Sequence, residues 1–374
     1  MVRAAGIDSG TRSVDIFAFD EERGVILDEA IPRDVVTENP KVVIDRLKAA
    51  EKEFGKFDAV VVSSGYGIPL KRVQEASDAE IALATFVSES DVKRRHRILG
   101  LRRLMTLFRE SDFNAYFTPG VIQLPTVPER RKLNRIDMGT SDKLYSVALA
   151  VKDQAERLGR RFDETSFILV EVGFAYTSAI AVSNGKVVDA MAGTSGFPSY
   201  LGSGFIDGEL AYAIANCCEF SKTLLFSGGA ADFAGIDPFQ TPIESFVRSG
   251  EGYELMIESI VKDVASLLPS LLPEEVVLSG RFSRIPEFFE DAKAAIEEFF
   301  SKLGCSVKVL RLRCSAKVAK EAAEGAAVIA NGLAGGRYAE LVDCLEIRKS
   351  RGSIFDHVRI PAGDFKVFER LILS

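Results

Sequence analysis

The sequence has no tryptophan, only two histidines (His96 and His357) and five cysteines in 374 residues. Two histidines exclude a three-histidine zinc site and any histidine-rich metal cluster. The cysteines (Cys217, Cys218, Cys305, Cys314 and Cys344) show no C-x-x-C spacing, so a zinc knuckle or thioredoxin-type motif is unsupported and buried free thiols are expected. No stretch reaches the ~18 uninterrupted apolar residues of a membrane span, and MVRAAGIDSG lacks the apolar length of a signal peptide. A cytoplasmic protein with no membrane partner is expected. Basic residues are outnumbered, 47 Lys+Arg against 54 Asp+Glu, giving a formal net charge of −7. That balance disfavours a nucleic-acid partner. Four glutamines and six asparagines make a low amide content of the kind thermophilic proteins carry.

What is present is an ordinary globular composition, 47% hydrophobic and 27% charged. Chains longer than roughly 250–300 residues usually split, so two domains are expected. Val2–Ile7 reads as a strand running into the turn Asp8-Ser9-Gly10-Thr11. Val14, Ile16 and Ala18 mark a second strand, and Val25–Ala30 a third. Asn39-Pro40 opens a helix with Val43, Leu47, Ala50 and Phe54 on one face, closed by Gly55; Ala59–Ser63 is a further strand. Helices are expected near 71–86 and 91–110, then a proline-punctuated stretch at Pro119, Pro125 and Pro128. Ser141 is read as the cap of a helix over 142–158 that ends at Gly159. Two basic clusters, Lys93–Arg97 with Arg102 and Arg103, and Arg130-Arg131-Lys132, read either as solvated faces or as an anion-attracting wall.

The opening pattern then returns. Phe167–Val172 is an apolar strand interrupted by Glu171, with Gly173 in its turn. Ser178–Val182 and Lys186–Met191 follow, joined by the hairpin signal Asn184-Gly185. Glu275–Leu278 leads into a helix near 284–300 with Ser283 as its cap, and Ser306–Leu310 into a helix near 317–333. Asp8 precedes Gly10 by two residues, as Glu171 precedes Gly173. A βββαβα pattern read twice argues for two similar α/β domains.

Successive backbone N–H groups in such a turn form an anion-binding concavity, to which Thr11, Ser13 and Arg12 add donors. A carboxylate facing phosphate there, at Asp8, is bearable only beside Mg²⁺ or a proton. A second turn at Gly173 would clamp the same polyphosphate across a cleft. Neither a G-x-x-x-x-G-K-[ST] loop nor a G-x-G-x-x-G turn after a strand occurs, which disfavours P-loop and Rossmann sites.

GIDSGT (Gly6–Thr11), VEVGFAYTS (Val170–Ser178), VVLSGRFSR (Val276–Arg284) and AAEGAAVIANGLAGG (Ala322–Gly336) resemble, in order, the two phosphate motifs, the adenosine motif and the second connecting helix of the acetate and sugar kinase, heat-shock chaperone and actin superfamily. NRIDMGTSDKLYS (Asn134–Ser146), the stretch Asn184–Gly204 and SGGAADFAG (Ser227–Gly235) are similar to segments of its acetate/butyrate kinase branch, and the pattern most resembles an archaeal butyrate kinase-like family. The departures are specific. Acetate kinases carry Asn at the position of Asp8, their two histidines fall on Met138 and Asp142, and an arginine of theirs has no counterpart in Leu201–Gly204.

The resemblance implies an α/β fold of duplicated ribonuclease H-like (actin-like ATPase) domains with βββαβα cores facing a nucleotide cleft. Residues 1–158 would carry phosphate motif 1 and the acceptor side. Residues 159–374 would carry phosphate motif 2 and the adenosine site, with a return of the C-terminal helix and tail to the first domain left open. It implies ATP and Mg²⁺ as cofactors and a small-molecule phosphoryl acceptor as partner, with a homodimer left open. Ser9, Gly10, Thr11, Ser13, Gly173, Phe174 and Ala175 would line the phosphates, and Gly228, Gly229, Asp232, Phe233, Ser279, Gly280 and Arg281 the adenosine. Asp8 and Glu171 would be the Mg²⁺-side carboxylates and Asp142 the base, with Asp137 as its rival. Arg12 would steady a phosphate, Arg284 flanks the adenosine loop, and Gly325 would permit close helix approach. The expected activity is an ATP-dependent small-molecule kinase, with a carboxylate such as butyrate or a hydroxyl compound as acceptor. An ATP-hydrolysing switch and a catalytically degenerate nucleotide binder are the alternatives.

Overall fold

Ala4–Ile7 and Val14–Phe19 are buried at every residue, as strands covered on both faces must be, and they lie in β1 (Arg3–Ser9) and β2 (Ser13–Asp20). The first sheet is completed by β3 (Gly24–Pro32), β4 (Ala59–Val62), β5 (Gly67–Arg72) and β6 (Ala115–Pro119), in the order β3-β2-β1-β4-β6-β5. β1, β4 and β6 run parallel, whereas β2, β3 and β5 join their neighbours antiparallel. The second sheet contains β7 (Phe167–Val172), β8 (Thr177–Ser183), β9 (Lys186–Ala192), β10 (Glu275–Ser279) and β11 (Lys308–Arg311), ordered β11-β10-β7-β8-β9. Read from the hairpin edge, β9-β8-β7-β10-β11 repeats β3-β2-β1-β4-β6. The chain therefore has the duplicated, actin-like α/β fold.

This computed structural model describes residues 1–93, 99–361 and 363–365. Its contacts divide the chain into two units. The first comprises Met1–Thr165, Ser183–Val188 and the described residues from Leu312 on; the second comprises Ser166–Val182 and Asp189–Arg311. Within the first unit, β1 carries the helix Glu321–Leu333, in which every residue from Glu321 to Gly332 is buried. Small residues make that burial possible. A β-carbon at Gly6 would strike the backbone of Ala323 and Ala327, and one at Gly325 would strike Tyr145 in the helix Ser141–Leu158. The Asn184-Gly185 turn has both residues in the left-handed region (φ 51° and 69°), the geometry a two-residue hairpin demands.

Several expectations are corrected. The helix expected near 71–86 is replaced by edge strand β5, a short turn at Val73–Glu75 and a helix confined to Asp78–Thr85. Pro69 is tolerated because β5 lies at the sheet edge, and the helix start is fixed by a capping box between Ser77 and Glu80. β6 had been read as part of a proline-punctuated stretch. The helix near 91–110 is instead Glu89–Lys93 and Leu99–Arg109, and Arg94–Arg97 lie outside the described residues, as does the tail 366–374. Asn39 ends the short helix Arg33–Glu38, and the next helix is Lys41–Phe54, closed at Gly55 as expected. Ser141 is the first helical residue rather than the cap; its Oγ accepts a hydrogen bond from the Ser64 N–H at 3.0 Å. Ser283 does not cap the Pro286–Lys302 helix, since its hydroxyl donates to the Gly280 carbonyl at 2.8 Å.

The described members of the basic clusters divide: Lys93, Arg103 and Arg130 are exposed, as on a solvated face, whereas three others are structural. Arg102 is wholly buried with Nε donating to Thr85 Oγ1 at 2.9 Å, Lys132 is buried on the Leu124 carbonyl at 2.7 Å, and Arg131 donates to the Val188 carbonyl. Neither a solvated face nor an anion wall describes these three. All five cysteines are free thiols, but none is buried: Cys217 and Cys218 are exposed, at the end of a helix, Gly208–Cys217, that buries no residue. No helix among the described residues is long and apolar enough to cross a membrane.

Candidate functional site

In the first unit, Asp8 is the penultimate residue of β1 and the chain turns through Gly10–Arg12 into β2, so that Asp8 and Asp15 are direct cross-strand partners with side chains on one face. Both are almost fully buried. Two buried carboxylates so close need a counter-charge. It comes from Lys320, the residue before the buried helix Glu321–Leu333, whose ammonium hydrogen-bonds Asp8 and lies 3.3 Å from Asp15. A β-carbon at Gly10 would run into the same Nζ, so the ammonium covers the turn itself. The segment before it is pinned: the N–H groups of Lys317, Val318 and Ala319 all donate to the Asp28 carboxylate on β3, at 2.6, 3.1 and 2.7 Å.

A second cation flanks the turn. Arg33 Nη1 donates to Ser9 Oγ at 2.6 Å, and the Ser9 N–H donates to Ser63 Oγ at 2.9 Å. Ser13 donates to Asp15 at 2.8 Å, which orients that carboxylate. Asp142 stands in the first turn of the Ser141–Leu158 helix. It receives hydrogen bonds from Thr140 Oγ1 and from Lys143 Nζ at 2.7 Å. That helix start is tied to the end of β4 by reciprocal bonds, Ser64 N–H to Ser141 Oγ and Ser141 N–H to the Gly65 carbonyl. Asp137 is engaged in its own turn, accepting from the Gly139 N–H at 3.1 Å. Met138, where acetate kinases resemble this chain but carry histidine, is fully buried.

The electrostatics follow from burial and pairing. Burial pushes the Asp8 carboxyl up to about 6; Lys320 opposes that rise, and the charges of Asp142 and Asp15 reinforce it. Burial acts the same way on Asp142, but the Lys143 ammonium and the bonds from Lys143 and Thr140 outweigh it, so Asp142 is held below the usual carboxylate range. Burial alone would discharge Lys320, yet the surrounding carboxylates, Asp8 first, push it above the ordinary lysine value.

In the second unit the equivalent of Asp8 is Glu171, which faces Ser178 across β8 and Ser279 across β10. The hydroxyls of Ser178 and Ser279 are buried without a hydrogen-bond partner. A β-carbon at Gly280 (φ 87°) would crowd the Glu171 carboxylate and one at Gly173 would touch it at 3.5 Å, so both glycines border it. The Gly202 N–H donates to the Ala175 carbonyl at 2.9 Å, and Gly202 pairs with Gly228 in an isolated bridge, which brings the Gly173–Ala175 turn, the Leu201–Gly204 stretch and the Ser227–Gly235 loop together. The Gly228 N–H donates to Asp232, Gly229 donates to the Leu201 carbonyl, and Phe233 is exposed. Phe174 packs its ring on Tyr200 and Phe239, so only its backbone faces the turn. Arg281 precedes the short turn Phe282–Arg284.

The two expected Mg²⁺-side carboxylates thus differ. Asp8 does not fit a divalent ion, since Lys320 already takes its charge. Glu171, with two unpartnered hydroxyls on its face, does fit a hydrated one. Among the described residues no group of three or more His, Cys, Asp or Glu could hold a metal, so such an ion would keep most of its own water. Lys320 and Arg33 were not anticipated. The only sequence signal for Lys320 is its place, with Lys317, before an apolar small-residue helix, and Arg33 carries none.

Solved structures of similar fold include acetate and propionate kinases. The propionate kinase from Francisella tularensis subsp. tularensis SCHU S4 is 15% identical with a TM-score of 0.57, the match covering 87% of this chain and 98% of that one. Porphyromonas gingivalis acetate kinase is 14% identical (TM-score 0.54; 87% and 98% covered) and Entamoeba histolytica acetate kinase 10% (0.53; 83% and 96%). At these identities the likeness shows the shared fold. No curated protein matches the chain. The model of the family described as "Protein of unknown function (DUF1464)" matches residues 6–360, and the chain belongs to that family.

Proposed function

We propose that the chain is an ATP- and Mg²⁺-dependent small-molecule kinase that transfers the γ-phosphoryl group to a small acceptor. One observation carries this reading. Each unit carries a buried carboxylate, Asp8 or Glu171, one residue before the end of its first strand, directly opposite a polar residue of the next strand and followed by a glycine turn. Such a turn offers aligned N–H groups to phosphate oxygens, and phosphoryl transfer asks of a protein mainly positioning and charge neutralisation. Glu171, Ser178 and Ser279 would hold the Mg²⁺, which offsets phosphate charge. Lys320, Arg33 and the Ser9–Ser13 turn would orient the phosphates in the first unit. Gly228, Gly229 and Gly280 would leave room for the adenosine.

Asp142 is ionised at neutral pH and can take a proton from an acceptor hydroxyl. Held below the usual range it is a weak base, suited to a transfer in which the proton leaves late, as the acceptor oxygen bonds to phosphorus. That charge and the buried Met138 favour a hydroxyl acceptor. A short-chain carboxylate such as butyrate is the second reading, supported by the fold shared with acetate and propionate kinases and by the Lys143 ammonium beside Asp142.

The test is a phosphoryl-acceptor screen over sugars, polyols and short carboxylates with ADP release as readout. Acceptor-dependent ADP release is expected, and Asp142→Asn should lower turnover by about 10²-fold or more while keeping nucleotide affinity. Slow hydrolysis indifferent to every acceptor would indicate a switch instead, and binding without turnover a degenerate enzyme. No binding of Mg-ATP by calorimetry would sink all three.

A further inference from the structure

We propose that Lys320 is the built-in cation of the first phosphate turn: it takes at Asp8 and Asp15 the place a divalent ion would need, and it is the donor that meets a polyphosphate oxygen over Gly10. The argument starts with charge. Asp8 and Asp15 are buried side by side, and Lys320 is the ammonium placed against both. A divalent ion at Asp8 would have to displace a tethered cation already desolvated there. Displacement is opposed by the clamp on Asp28, where three consecutive N–H groups fix the chain up to Ala319.

The second half concerns the ligand. An ammonium has three donor hydrogens; Asp8 accepts one, and Asp15 lies 3.3 Å away as an ion-pair partner. Lys320 keeps 18% of its side-chain surface exposed, whereas Asp8 and Asp15 keep 3% and 2%, so of the three side chains the lysine is the one that reaches solvent. It stands against Gly10, the residue at the head of the turn, and Arg33 supports the same turn through Ser9. An anion arriving at these N–H groups meets the Lys320 ammonium first. The ligand class is a polyphosphate, inorganic or on a nucleotide. Glu171 in the second unit has a serine, not an aspartate, as its cross-strand partner, so the paired carboxylates are particular to the first turn.

The counter-cation half stands on geometry alone, and the phosphate half rests on the nucleotide reading above. Two measurements separate them. In the first, Mn²⁺ is titrated into nucleotide-free protein and bound ion is read from the loss of its free EPR signal. Mn²⁺ retention by the wild type should be unchanged in Asp8→Asn. Lys320→Ala should gain a site that adding Asp8→Asn abolishes. Wild-type retention that falls in Asp8→Asn, or a Lys320→Ala variant that gains nothing, overturns the assignment. The wild-type comparison holds even should Lys320→Ala fold poorly, and Lys320→Arg should behave as wild type. In the second, tripolyphosphate binding is followed by calorimetry in EDTA. Wild type should bind, Lys320→Ala should bind about tenfold to a hundredfold more weakly, and Lys320→Arg should stay close to wild type. Equal affinity in all three overturns the phosphate half. Absence of polyphosphate and Mg-ATP binding altogether sinks the nucleotide reading and that half with it, leaving the Mn²⁺ result to decide the rest.

Discussion

Asp8 answers to two opposed influences, burial that favours its protonated form and the Lys320 ammonium that favours its charge, and burial prevails. Its folded-state value, about 6, lies above the ordinary 3.8. The sign of its pH dependence follows: the stability Asp8 contributes is fully present below pH 3.8 and is lost as pH rises through about 6. Lys320 is raised above 10.5, so its contribution is full below that value and persists until the pH exceeds its folded value. A ¹³C-carboxyl NMR titration should therefore find the Asp8 midpoint near 6, and Lys320→Met should move it higher. A wild-type midpoint at or below 3.8 would mean that the ion pair and not burial governs the residue. The candidate residues that sequence could pick out, Asp8, Gly10, Glu171, Gly173 and Asp142, all reveal themselves through neighbours a few positions away. Lys320 does not, because its partner Asp8 is 312 positions distant.

Among the elements, the helix Glu321–Leu333 depends on having no side chain at Gly325, where a β-carbon would meet the backbone of Tyr145. Backbone cannot step aside as a flexible side chain can. Gly325→Ala should therefore lower the unfolding free energy by about 1–3 kcal/mol or more, despite alanine's higher helix propensity. Gly208→Ala is the control: it also lies in a helix, but nothing stands within 4 Å of its β-carbon, so it should be neutral or stabilising, by up to ~1 kcal/mol. Urea denaturation of the two variants decides, and equal effects would defeat the packing account. Elements with strong local signals were legible in sequence: the hairpins, the Lys41–Phe54 helix with its closing Gly55, and the Asn184-Gly185 turn. β5 and β6 were not, since Pro69 and Pro119 disguise strands that only sheet pairing makes favourable. The Glu321 start was hidden for a related reason. Asp28, nearly 300 positions earlier, takes the N–H groups that a helix begun at 317 would have used.

At the scale of the whole molecule the chain crosses from the first unit to the second and back, so the first unit is assembled from both ends of the sequence. Acids of the β2–β3 hairpin, Asp28 and Glu21, hold both ends of its last long helix. Asp28 takes the segment before it, and Glu21 accepts from Asn331 Nδ2 at 2.9 Å and from the Arg337 N–H at 2.8 Å. Removing the chain after Arg311 should thus leave the first unit without the helix that covers β1, and far more open to protease. Circular dichroism and limited proteolysis would show it. A truncated chain in which residues 1–165 resist digestion as in the full length would refute this dependence. The same connectivity sets an order of events during synthesis. Every residue of the second unit leaves the ribosome before Lys320 does, while Asp8, 312 positions earlier, and Asp15 stay without that counter-charge until it arrives. The turn after Asp8 thus waits for a residue made after the whole second unit before it becomes itself.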